Sequence, residues 1–170
     1  MADPRLRPFR APIAAFAVMV VLVMATAAVL FVRKIGLRAG QVEAFYLGSE
    51  ASFARPRTLA GMLEVAVPHL LAVPMVLFVT LHLVAFASRM RRRPFALVAG
   101  FTFGCALAGI LSGFGIRYLW PEVATLKVAA FLGLEAVMLV WLGLLVATAL
   151  PPVQGESGAG EAEPWPGPAR

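Results

Sequence analysis

Three stretches of this chain, residues 11–32, 65–86 and 95–116, contain no Asp, Glu, Lys or Arg, and a fourth, 123–150, holds only Lys127 and Glu135. A helix rises about 1.5 Å per residue, so each stretch is long enough to cross the ~30 Å of hydrocarbon in a bilayer. With 61% of its 170 residues apolar and 14% charged, the chain departs from the profile of a water-soluble domain. The pattern predicts an all-α, integral membrane four-helix bundle with spans at about 12–32, 60–88, 95–116 and 123–150. These spans make one transmembrane domain over residues 1–150. The remaining segment, 151–170, is rich in Gly, Pro and Glu and is expected to be a disordered tail.

The first apolar run competes with a signal-peptide reading, because Ala25-Thr26-Ala27 resembles a cleavage site. The run continues past it to Arg33-Lys34, which favours an uncleaved anchor. Four arginines within residues 89–93 place the connection between spans two and three on the cytoplasmic side, and with it both termini. Arg33, Lys34, Arg38, Arg55 and Arg57 then fall on the other side, against the trend. The expected location is a bacterial-type inner (plasma) membrane, crossed several times. The net charge of +6 comes mostly from arginines flanking apolar runs, so no basic face is left for nucleic acid. The single cysteine, Cys105, excludes an intramolecular disulfide and a CxxCH haem attachment site.

The longest polar connection, residues 33–58, has room for a short surface helix near 39–45. The third span carries two ladders of small residues: Gly100, Gly104 and Ala108 on one, Cys105, Gly109 and Gly113 on the next. Both are expected to admit a neighbouring helix or a flat ligand closely. Tyr46, Tyr118, Trp120 and Trp141 read as interface or packing aromatics.

The second span, within EVAVPHLLAVPMVLFVTLH at residues 64–82, holds both histidines of the chain. His69 and His82 lie about one turn inside the two ends of the apolar run, thirteen residues apart, roughly 20 Å along the axis. Such depths suit two haem b groups, one per leaflet, relaying electrons across the bilayer. On these residues and on its helix count the chain resembles the membrane b-type cytochrome subunits of respiratory complexes. That resemblance implies haem b held between transmembrane histidines, with quinone as the alternative ligand. In the diheme members the paired histidines recur on two helices at a slightly different spacing. Here one helix carries them, and thirteen residues turn a regular helix by about 220°, which faces them apart unless Pro68 and Pro74 distort it.

A haem with two histidine ligands would need its second imidazole from elsewhere, since Met75 is roughly 10 Å from His82 along the helix. A homodimer or a larger membrane redox complex is the expected source. The plainer alternative is that each histidine is a buried polar residue, hydrogen-bonded inside the bundle.

Glu135 lies near the middle of the fourth span, where a bare carboxylate is costly, so it must be protonated, paired or beside a wet cavity. Lys127 is about 12 Å nearer one end of the span, too far to pair with it directly. A histidine of span two or a polar group of span three is the better expected partner. Glu135 and Glu64 are candidates for proton-linked or quinone-site work, Glu64 lying one turn before His69. A purely structural acid at Glu135 is the competing expectation. No nucleophile with its base, phosphate loop or zinc site is present in the sequence.

The expected function is a small integral-membrane accessory or anchor subunit of an electron-transfer complex, not an enzyme alone, with His69 and His82 as ligands for haem iron. Its expected partners are membrane lipids and the homodimer or larger complex. A membrane assembly or scaffold protein is the alternative, followed by a small proton-linked transporter using Glu135.

Overall fold

The computed structural model describes residues 8–50, 53–87 and 90–149. The tail expected at 151–170 lies outside the described residues, as does Arg89 of the arginine cluster. Five helices follow in order: α1 (Arg10–Lys34), α2 (Ala39–Leu47), α3 (Leu59–Ala87), α4 (Arg92–Tyr118) and α5 (Val123–Ala149). The sole β pairing among the described residues is an isolated bridge between Ser49 and Ala54. Helices α1, α3, α4 and α5 are each long and apolar enough to cross a membrane. The protein is therefore an all-helical, multi-pass membrane protein. The nine residues of α2 rise only about 14 Å, too little to cross.

Packing is concentrated at the two ends of the bundle. At one end Ile13, Ala17 and Val20 of α1 meet Leu77, Leu81 and Val84 of α3 and Met138, Trp141 and Leu145 of α5. The N-terminal half of α1 thus lies beside the C-terminal halves of α3 and α5, as an up-and-down bundle requires. At the other end α2 lies across the bundle, and Val42 and Tyr46 pack against Met62, Ile116 and Ala124. The α4–α5 pairing is the most extensive, whereas α1 leans chiefly on α5. There Phe31 stacks on Phe131 with ring centroids 3.9 Å apart and planes 1° from parallel.

Most apolar side chains of the spans face outward, Leu71 of α3 and Leu97 of α4 among them. In a bilayer this costs little, because hydrocarbon tails solvate them, and helix association rests on close packing and internal hydrogen bonds instead. Among the described residues Arg10 Nε is buried without a hydrogen-bond partner, whereas the polar groups between the helices are paired. Trp141 is almost fully hidden and donates from Nε1 to Thr102 Oγ1 at 3.0 Å, while Thr102 donates to Val98 O at 2.7 Å.

The two small-residue ladders of α4 have different fates. A methyl group added at Gly100 or Gly104 would meet nothing within 4 Å, so that ladder faces outward. On the other ladder Cys105 and Gly113 meet the bundle, Cys105 Sγ lying 3.2 Å from where Gly133 would carry a Cβ, while a methyl group at Gly109 would again meet nothing within 4 Å. Within the described residues close packing is made at Cys105 and Gly113, and the Gly100–Gly104 ladder is left open.

Helix α3 starts on Thr58, whose Oγ1 accepts the Gly61 N–H at 3.2 Å. It then runs unbroken through Pro68 and Pro74. Unwinding at these prolines therefore does not occur. Each proline lacks an N–H, so the carbonyls of Glu64 and Leu70, one turn earlier, lose their regular in-helix donor.

Candidate functional site

The sequence-predicted residues divide between the surface and the interior of the bundle. Both histidines are on the surface: His69, His82 and Glu64 are all exposed. This overturns the plainer expectation of imidazoles buried inside the bundle. His69 bonds through Nδ1 to Val65 O, its own helix one turn back, at 2.7 Å. The carbonyl can only accept, so Nδ1 carries the hydrogen and Nε2 is left as the ring nitrogen without a partner, the pattern seen in histidines that ligate a metal. His82 sits between two rings of its own helix, Phe78 at 4.6 Å and Phe86 at 5.6 Å between centroids. These contacts restrict the imidazole to the outer surface of α3.

Around His69 the N-terminal half of α3 is bare on most sides, from Leu63 to Ala72, apart from Ala66. The freed carbonyls of Glu64 and Leu70 belong to the same stretch. Exposed apolar sequence with an imidazole and two backbone acceptors lacking their regular donors is an unusual surface to offer hydrocarbon, where unsatisfied polar groups are costly.

Glu135 is half-buried on α5. It lies one turn beyond Phe131, whose ring stacks on Phe31, so this side of α5 is turned toward α1. No hydrogen bond joins it to His69, His82 or a polar side chain of α4 among the described residues. The expected partnership with span two or span three is corrected on that ground. No group of three or more His, Cys, Asp or Glu side chains gathers among the described residues.

The polar centre that the structure does assemble was weighed in the sequence only against Glu135. Lys127 is buried, at 8% exposure, and its Nζ donates to Gly109 O of α4 at 2.7 Å. The same oxygen accepts from Ser112 Oγ at 3.1 Å. Lys127 Nζ also lies 5.4 Å from the centroid of the Tyr46 ring, within reach of a cation–π attraction. Tyr46 is buried in turn against Gly113, where a Cβ would come within 3.0 Å of the ring. A larger residue there would need the Tyr46 ring of α2 to give way. Burial pushes the Tyr46 hydroxyl up to about 12, against a smaller opposite pull from Arg57.

The chain beyond α2 continues this fastening. Arg57 N donates to Tyr46 O at 3.0 Å, and the Arg57 guanidinium lies 4.2 Å from the Phe45 centroid. Arg117 Nε at the end of α4 donates to Arg57 O at 3.1 Å. The signal in the sequence was a lysine about one turn inside a span, opposite a glycine ladder whose missing side chains uncover backbone carbonyls. This cluster anchors α2 and leaves no open space for a substrate.

A family model described as a transmembrane helical domain matches residues 36–152, which includes α2 through α5 and leaves α1 outside. No curated protein and no solved structure matches the chain.

Proposed function

This chain belongs to the Aq_1264_TM family of transmembrane helical domains, and from that premise we propose that it is a membrane-embedded accessory subunit that presents His69 and His82 to a partner within the bilayer. The observation that carries this reading is the exposure of both imidazoles on α3, at two depths of one span. A buried histidine serves its own bundle. An exposed one at hydrocarbon depth is costly unless something else meets it.

Electron transfer is the finer form of the reading, with haem b bridging a histidine of this chain and one from a second copy or a larger redox complex. The unpartnered Nε2 of His69 and the aromatic rings beside His82 support it. When bound, haem would supply one-electron transfer, and His69 or His82 would hold its iron beside the apolar surface of α3. Quinone is the alternative occupant, with Glu64 beside His69 as the nearest acid. In this reading both termini and Arg91–Arg93 face the cytoplasm of a bacterial-type plasma membrane. An assembly or scaffold role is the second reading, favoured by the open Gly100–Gly104 ladder, against which another membrane helix can pack closely. Proton-linked transport through Glu135 is the weaker reading, because Glu135 lies on the side of α5 turned toward α1 and makes no hydrogen bond to another polar side chain among the described residues.

The test is a reduced-minus-oxidised visible spectrum of the full chain purified from haem-sufficient membranes. A b-type α band that weakens in each of His69→Ala and His82→Ala and disappears in the double variant is expected. A flat spectrum in wild-type protein that still co-purifies with a larger complex overturns haem binding and leaves the scaffold role.

A further inference from the structure

Two cavities lie end to end along α1. The first is about 350 Å³, between the last turn of α1 and the flank of α2, and its lining includes Arg33, Lys34, Gln41 and Phe45. Gly36 makes this cup possible: its φ is +90°, and a Cβ there would come within 2.5 Å of Gln41 Oε1. Gln41 can therefore fold under the helix end, where Oε1 accepts the Arg38 N–H at 3.2 Å. The second is a groove of about 340 Å³ formed by Met19, Leu22, Val23, Thr26, Ala27 and Leu30. Thr26 donates its hydroxyl to Leu22 O at 2.7 Å, so the groove offers apolar surface throughout.

The register of α1 joins the two. Positions 19, 22, 23, 26, 27 and 30 form one helical stripe, and the next members of that stripe are Arg33 and Lys34. Met19 to Leu30 spans about 16 Å, close to half of a ~30 Å hydrocarbon core and so to the depth of one leaflet. Two cations thus cap an apolar track one leaflet deep. The side of α1 that packs on the bundle, through Ile13, Ala17, Val20 and Phe31, is a different one.

We propose that an anionic phospholipid occupies this seam, its phosphate headgroup against Arg33 and Lys34 and one acyl chain along the α1 groove. Charge complementarity selects the headgroup, and the stripe below it accounts for the chain. A soluble anion would use the cup alone; a neutral lipid would use the groove alone. The occupant would also bridge α1 to α2, the first element of the family domain, at a place where the upper part of α1 is otherwise bare. The inference does not depend on the histidines.

The test compares thermal midpoints of the full chain in mild detergent with phosphatidylglycerol, phosphatidylcholine or inorganic phosphate added. Ligands that bind the folded state raise the midpoint by mass action. Phosphatidylglycerol alone is expected to raise it. The double variant Arg33→Gln/Lys34→Gln should bind that lipid about thirtyfold more weakly. Ala27→Phe, which fills the groove and keeps both charges, should also reduce the shift, whereas Arg92→Gln/Arg93→Gln at the other end should keep it. Native mass spectrometry reads retained lipid directly if a variant is too unstable to melt cleanly. An equal response to phosphatidylcholine or inorganic phosphate overturns the proposal, as does a phosphatidylglycerol response that survives both seam variants.

Discussion

Trp141 is the largest side chain the bundle hides completely, and its one polar atom is answered by Thr102 alone. Thr102→Val keeps the shape and removes the acceptor, which should cost about 1–3 kcal/mol as the indole N–H loses its partner. The double variant Thr102→Val/Trp141→Phe should be less destabilised than the sum of its single changes, because both ends of the bond are then apolar. Unfolding in mixed detergent micelles measures both. At this scale the depth of His69 and His82 was legible from their distance to the charged ends of the span. Their outward direction was not, because α3 is apolar all round and carries no polar face to show which side meets the bundle. The partners of Lys127 were not legible for a related reason: Gly109 O and the ring of Tyr46 belong to other helices, and a backbone carbonyl leaves no mark in a sequence.

Among the elements, α2 is held by a contact that tolerates no extra atom. Gly113→Ala places a methyl group within 3.0 Å of the Tyr46 ring and should destabilise the fold by about 1–3 kcal/mol. Gly100→Ala, on the open ladder of the same helix, should be neutral or slightly stabilising through helix propensity. Thermal melts of the two single variants check this. Spans and their order could be read from charge-free runs alone, since hydrocarbon imposes length and composition on any helix that crosses it. The choice between the two ladders of α4 could not. Both have the spacing for close packing, and which one is used depends on how α5 and α2 are placed around the helix.

For the molecule as a whole, the orientation proposed from the arginines gives a definite labelling pattern. In a Cys105→Ala background, Phe53→Cys at a 95% exposed position between α2 and α3 should react with a membrane-impermeant maleimide on intact cells. Arg92→Cys should react only after permeabilisation, and the opposite pattern reverses the topology. The family boundary at residue 36 bears on the same question through parity. The shared unit crosses the bilayer three times, through α3, α4 and α5, so its two ends emerge on opposite sides. By adding one crossing ahead of residue 36, α1 makes the number even and returns the start of the described chain to the side where α5 ends. Four crossings thus bring residues 8 and 149, at the two limits of the described chain, to the same aqueous compartment.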